Sequence, residues 1–212
     1  MALATDLVVF TLREQALQVL LRRRETEPHA GDWALPGARL CGAESLEACA
    51  IRVLAEQTGL RRTYLEQLYT FGDPDRDPRG RVVSVAYYAL LPPPRLADVE
   101  GVGGALQWCP VERLPALAFD HGAIIGLAHH RLAAKLEYST IALQFMGETF
   151  TLSELQRAHE IILGEPLDKR NFRKRLRNLT AIEATGEWFR AGNHRPARLF
   201  RVARPGRVEF IK

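Results

Sequence analysis

Arg170, Arg173, Lys174 and Arg177 stand at positions i, i+3, i+4 and i+7. Each residue of an α-helix turns ~100°, so this spacing gathers the four cations into one narrow stripe. Phe172, Leu176 and Leu179 fall on the opposite side, and Lys169 and Asn171 flank the stripe. A helix divided in this way docks its apolar side on its own domain and offers its basic side to a polyanion. A major groove about 12 Å wide admits such a helix. There an arginine can take guanine O6 and N7 with two parallel hydrogen bonds, and an asparagine can do the same for adenine. The other cations are suited to phosphate, which adds affinity without sequence information.

The flanking residues supply what would position that helix. Thr151-Leu152-Ser153-Glu154 is a capping box, in which Thr and Glu satisfy two orphan backbone N–H groups reciprocally. It predicts a preceding helix whose inward face carries Leu152, Leu155, His159 and Ile162. Leu163-Gly164-Glu165-Pro166 is a short break containing glycine, and Asp168 can cap a second helix running to about Leu179. Residues 183–202 then read as a β-hairpin with its tip at 191–196. Arg190, Arg195 and Arg198 near that tip give it the character of a wing. A winged helix-turn-helix with DNA contacts at Lys169, Arg170, Asn171, Arg173, Lys174, Arg177, Arg190, Arg195 and Arg198 is the expectation. The alternative is a small α+β interaction domain with a solvated cationic helix.

Charge is divided to match. Residues 1–150 hold 15 Lys and Arg against 18 Asp and Glu, a net of −3, whereas residues 151–212 hold 14 against 7, a net of +7. An acidic-to-neutral module followed by a nucleic-acid-binding module is the natural reading. The 212 residues are comfortable for two small domains, expected at 1–140 and 141–212. Apolar residues make up 47% and charged residues 25%, which excludes a disordered chain. No run approaches the roughly 18 apolar residues of a membrane span, so no membrane partner is expected. The segment 1–10 carries no positive charge before its apolar run, making it a poor export signal and a better first strand. Cys41, Cys49 and Cys109 form no Cys-x-x-Cys pair, and an odd, scattered set points to reduced thiols in a cytoplasm.

In the N-terminal part, Leu7–Leu12 and Ala16–Arg22 read as strands around a turn at Arg13-Glu14-Gln15. Ala34-Leu35-Pro36-Gly37 breaks the chain before an irregular stretch at 38–43. A helix starts near Ser45, a plausible N-cap, and ends at Gly59, which takes the left-handed C′ position at little cost. Strands at 81–91 and 107–109 and a helix at 124–136 complete this part, with residues 138–150 as a joint.

Across residues 34–60 the chain resembles the Nudix hydrolases. Their signature is glycine, five residues, glutamate, seven residues, Arg-Glu-aliphatic, one residue, Glu-Glu, one residue, Gly-aliphatic. Ala38 stands at the glycine; Glu44, Arg52, Leu54, Glu56, Gly59 and Leu60 match; Val53 and Gln57 replace two glutamates. The resemblance implies metal-assisted attack of water on a diphosphate, with carboxylates holding Mg²⁺. Here one ligand position has no donor atom and another is a neutral amide. No catalytic residue and no metal site is therefore expected, and Mg²⁺ binding is expected to be weak or absent. Residual hydrolysis using Glu56 with Glu112 or Asp120 stays open. The pocket can still bind: residues 71–85 set Arg76, Arg79 and Arg81 among turn residues, and arginine suits bidentate phosphate contact. The competing role for these arginines is a salt-bridged loop with Asp73, Asp75 and Asp77.

The whole chain resembles the Nudix-related transcriptional regulators of NAD metabolism. That resemblance rests on the degenerate box at 38–60, on Arg76-Asp77-Pro78-Arg79-Gly80-Arg81-Val82-Val83-Ser84, and on Phe150-Thr151-Leu152 with Leu167-Asp168-Lys169-Arg170-Asn171-Phe172-Arg173. It implies an α+β chain, a Nudix α/β/α sandwich with a mixed sheet followed by a winged helix. It implies a cytoplasmic homodimeric repressor on an inverted-repeat double-stranded DNA operator. ADP-ribose or a related nucleotide would be the effector, with no further cofactor, in a pocket carrying Arg39, Glu44, Arg52, Glu56, Arg76, Arg79 and Arg81. Some relatives regulate sugar catabolism instead. Two other classes stay open: an ADP-ribose pyrophosphatase with an appended nucleic-acid-binding domain, and a ligand-responsive adaptor that binds RNA or protein through the basic module. In the regulator reading, effector favours a different placement of the domains across the joint, and DNA and effector weaken each other by one factor.

Overall fold

A computed structural model describes residues 1–61, 63–95, 106–177, 179–190 and 196–211. Strands β1 (Ala2–Arg13) and β2 (Ala16–Arg23) form an antiparallel hairpin with Arg13 opposite Ala16. Its loop is therefore the two residues Glu14 and Gln15, both at positive φ, as a right-twisted two-residue hairpin requires. β1 runs parallel to β6 (Val82–Leu91) over ten residue pairs, and β5 (Tyr64–Phe71) lies antiparallel beyond β6. On the other flank β2 pairs with β7 (Leu106–Pro110) and with the short β3 (Trp33–Ala34). The stretch expected to be irregular at 38–43 instead begins inside a strand. β4 (Gly37–Arg39) pairs with Ala4–Asp6 of β1 and so takes up backbone groups of that strand.

Both faces of this mixed sheet are covered, which is why the middle of β1, residues 7–10, reads as an unbroken apolar run. Leu7 and Val9 point to one face, where α1 (Leu46–Thr58) buries Cys49, Ala50, Val53 and Leu54. Val8 and Phe10 point to the other, where α2 (His121–Tyr138) buries Ile124, Ile125, Ala128, Leu132 and Leu136. Ser45 caps α1 by accepting from the Ala48 N–H, and Gly59 ends it at φ +72°.

The joint is a packed element. Ile141–Phe145 forms a 3₁₀ turn whose Ile141, Ala142, Leu143 and Phe145 are almost fully buried. They belong to one apolar core that runs from Val8 in the sheet through α2 to Phe172 and Leu176. Beyond it lie β8 (Phe150–Thr151), α3 (Leu152–Leu163), α4 (Lys169–Leu176) and the hairpin β9 (Ile182–Phe189) with β10 (Ala197–Val202). β8 and β9 flank β10 in a three-stranded antiparallel sheet. α4 ends at Leu176, short of the expected Leu179. The Arg177 and Leu179 N–H groups bond three residues back, to Lys174 O and Leu176 O, so the last turn tightens and leaves the helix. No described helix is long and apolar enough to cross a membrane.

Candidate functional site

Two arginines meet over one aromatic ring where β1 and β4 pass the start of α2. Phe119 sits at φ +54°, a backbone region that bulky residues rarely occupy. That conformation puts its ring 4.8 Å from the Arg24 guanidinium and 5.6 Å from that of Arg79, with His29 edge-on at 4.8 Å. Arg24 is steadied by Pro28 O (2.9 Å) and Thr26 O (3.2 Å). Burial, and then the positive charge of Arg79, push the Arg24 guanidinium down from its ordinary value. Arginine nonetheless stays charged in proteins. Two cations held against their repulsion over one ring define a place where an anion is favoured.

The cleft there has a volume of about 420 Å³. Its lining carries Arg24, Arg39, Arg76 and Arg79 against Asp6 and Asp77, an excess of two positive charges. A second chamber of about 470 Å³ shares Arg76 and Phe119 and adds His29 and Asp120. Arg79 is gripped by Asp77 through Nε (2.9 Å) and Nη2 (2.6 Å), which holds the Asp77 carboxyl at about 2. The Arg76 side chain is 5% exposed and forks onto Asp120 at 2.8 and 2.6 Å, with Asp6 at 3.3 Å. Ser84 Oγ donates to Asp6 at 2.6 Å. His121 Nδ1 accepts from the Leu35 N–H at 2.9 Å, leaving Nε2 toward Asp6, and burial pushes this imidazole down toward its neutral form. The floor of the cleft is thus a fixed charge network, and Arg24, Arg39 and Arg79 form its walls.

The expected effector residues divide on this frame. Arg39, Arg76 and Arg79 line the cleft. Arg81 does not: its carbonyl accepts from the Ala2 N–H at the start of β1. Glu44, Arg52 and Glu56 bind one another. Arg52 donates to Glu44 at 2.7 and 3.0 Å and to Glu56 at 3.1 Å, and the Arg52–Glu44 contact holds the Glu44 carboxyl at about 2. Gln57 clamps Gly37 with both ends of its amide, Nε2 donating to Gly37 O (3.0 Å) and Oε1 accepting from Gly37 N (3.3 Å). Of the proposed loop pairing, Asp77 takes Arg79, but Arg76 turns to Asp6 and Asp120. No sequence motif marks Arg24, His29, Phe119 and His121, because they come from two stretches far apart in the chain, the segment after β2 and the start of α2.

A larger hollow of 760 Å³ lies between the wing and the joint. Its lining is mostly apolar, and its arginines are engaged elsewhere, Arg95 on Thr63 and Arg61 O and Arg201 on Glu183. The arginine cleft is the site with convergent chemistry.

The second surface is α4. The capping box forms in both directions, Glu154 N to Thr151 Oγ1 (3.2 Å) and Thr151 N to Glu154 Oε2 (2.6 Å). Gly164 ends α3 at φ +74°, and Asp168 caps α4 by accepting from Asn171 N at 2.8 Å. Phe172 and Leu176 are buried, with Phe172 edge-on to His159 at 5.0 Å. Lys169, Arg170, Asn171, Arg173, Lys174 and Arg177 are all exposed. Arg190 and Arg198 are exposed on the hairpin, and Arg195 lies outside the described residues.

Fold and surfaces together define a Nudix-type domain carrying a winged helix. Residues 2–127 match the NUDIX domain family, and residues 142–202 match the family described as the NrtR DNA-binding winged helix domain. The chain is 38% identical to the ADPR responsive transcriptional repressor NtrR of Acinetobacter baylyi, over 95% of this chain and 82% of that one. It superposes on Shewanella oneidensis NrtR complexed with a 27mer DNA at a TM-score of 0.86 and 38% identity, covering 94% and 93% of the two chains. The NUDIX domain of that protein complexed with ADP ribose matches at a TM-score of 0.51 and 38% identity, over 61% of this chain and 87% of the other. The chain belongs to the NrtR family of Nudix-related transcriptional regulators.

Proposed function

We propose that this chain is a transcriptional repressor whose hold on DNA is controlled by ADP-ribose, or a related nucleotide, bound in the arginine cleft. One observation carries the reading. The same chain presents a surplus of positive charge around a strained phenylalanine and, on a capped helix elsewhere, an exposed cationic stripe. The stripe enters a major groove with Arg170, Asn171 and Arg173 toward base edges. Lys169, Lys174, Arg177, Arg190, Arg195 and Arg198 take phosphate. In the cleft Arg24, Arg39 and Arg79 hold the diphosphate and Phe119 packs on the effector, over a floor set by Arg76.

The chain does not act as a hydrolase in this proposal. Val53 is fully buried among Leu7, Val9 and Leu20, Gln57 is committed to Gly37, and Glu44 and Glu56 share the single cation of Arg52. Such a donor set does not fit Mg²⁺, which wants several free oxygen ligands. The protein works in the cytoplasm as a homodimer, one recognition helix per half-site of an inverted repeat. Units at 1–140 and 141–212 carry the two tasks. The relative named as ADPR responsive, and that bound to DNA, support this assignment.

The test uses a labelled duplex selected by the protein from a randomised library. Fluorescence anisotropy is expected to show binding that weakens on addition of ADP-ribose, with no Mg²⁺-dependent phosphate release from ADP-ribose. Unaltered binding at saturating ADP-ribose, together with brisk hydrolysis, would establish the enzyme instead.

A further inference from the structure

The last four carbonyls of an α-helix have no partner within it. In α2 these belong to Lys135, Leu136, Glu137 and Tyr138. Ser139 Oγ donates to Lys135 O at 2.6 Å. Arg175 Nη2 donates to Leu136 O at 2.7 Å and to Glu137 O at 2.6 Å. The Ile211 N–H donates to Tyr138 O at 2.7 Å. Three of these four carbonyls are therefore satisfied from the DNA-binding unit, and two of them from a single side chain of α4. A guanidinium there also complements the negative end of the helix dipole.

The opposite end of α2 is the wall of the arginine cleft. His121 lines its first chamber, and the N-cap Asp120 lines the second while holding Arg76. Between the ends Ile124, Ile125, Ala128, Leu132 and Leu136 are at most 1% exposed. A helix packed along its whole length, about 27 Å for 18 residues, moves as one body and does not absorb a displacement along the way. Midway, His129 Nε2 donates to Ile162 O at 2.9 Å, near the end of α3.

We propose that Arg175 is the positioning residue that couples the effector cleft to the recognition helix, with α2 as the rod between them. Arg175 lies on the flank of the stripe, beside Lys174, and its guanidinium points to α2 and away from the DNA-facing row. It is exposed, so water can replace its bonds at small cost, as a contact that must be made and broken requires. A shift of α2 on effector binding moves the two carbonyls, and α4 follows or is released. This inference rests on the ADP-ribose-controlled repressor reading above.

The test compares full-length wild type with R175A, using the library-selected duplex with and without saturating ADP-ribose. The ratio of the two duplex Kd values is the coupling factor, roughly 5- to 150-fold in typical allosteric proteins. In R175A it is expected to fall close to one, while ADP-ribose binds the DNA-free variant as tightly as wild type. A coupling factor equal to that of wild type would overturn the inference. So would a retained factor with the salt dependence of duplex binding reduced by about one ion, the mark of a phosphate contact. Absence of any ADP-ribose effect in wild type itself would instead remove the functional reading beneath. Should R175A not fold, R175Q keeps one amide donor for a single carbonyl. A reduced factor there supports the coupling role and an unchanged one overturns it.

Discussion

Replacing Gln57 with glutamate restores the residue type that the Nudix signature has at that position, yet the geometry here opposes it. The Gln57 amide gives one hydrogen to Gly37 O and takes one from Gly37 N. A carboxylate keeps the second bond, loses the first, and sets an oxygen against the Gly37 carbonyl. The lost bond and the unsatisfied acceptor together cost about 1–3 kcal/mol. Gly37 has no freedom to yield, since its Cα already faces Asp6 Oδ1 and Thr5 O so closely that an added Cβ would lie 2.5 and 2.8 Å from them. Because Gly37 lines the cleft, ADP-ribose affinity falls with stability. The pH dependence identifies the cause. Once protonated, the introduced carboxyl can donate to Gly37 O again, so its folded-state pKa is raised. Its stabilising contribution is present at low pH and is lost as pH rises through that pKa. Urea unfolding of Q57E and wild type, near neutrality and at about pH 5, reads both effects. Q57E is expected to be less stable near neutrality and to approach wild type in acid. Equal stability near neutrality, or Mg²⁺-dependent hydrolysis of ADP-ribose by Q57E, would refute the clamp.

Three further outcomes are expected. Arg170→Ala or Arg173→Ala costs roughly 1–3 kcal/mol of duplex binding and relaxes preference at one base pair if the side chain reads a base. A loss uniform across sequences identifies a phosphate contact, and anisotropy against a panel of duplexes separates the two. Phe119→Ala removes the ring on which Arg24 and Arg79 lie, and calorimetry is expected to show ADP-ribose binding weakened by about 1–2 kcal/mol with duplex binding unchanged. His159 is buried on the inner face of α3 against Phe172 of α4, and burial pushes its imidazole from 6.5 down to about 4. The unfolded chain therefore binds the extra proton between those values, and stability falls by about 3 kcal/mol as pH drops across that window. His159→Phe is expected to remove this part of the acid sensitivity in melts taken over the same range.

Local chemistry made the DNA-facing half legible. Thr151, Glu154, Gly164 and Asp168 each act within three or four residues of chain, so their caps could be read without knowing the fold. The same is true of Ser45 and Gly59 around α1. β5 carries no such mark, because a register shift between Gln67 and Tyr69 breaks its period of two. Arg24, His29, Phe119 and His121 were missed for a different reason. They meet only because β2, the loops after it and the start of α2 converge, and no sequence spacing records that. No spacing singles out Arg175. Its bonds to Leu136 O and Glu137 O appear only once α2 is in place. The joint, too, looked like a connector between two bodies, whereas Ile141 and Phe145 are buried in a core shared by both.

In the proposed mechanism one chain uses both surfaces, and each senses the other. Calorimetric titration of ADP-ribose into the free protein, and into its complex with saturating duplex, tests this most directly. Linkage requires the duplex to weaken ADP-ribose by the same factor by which ADP-ribose weakens the duplex. Affinity for ADP-ribose is expected to be lower in the complex. Equal affinity in the two titrations would contradict it.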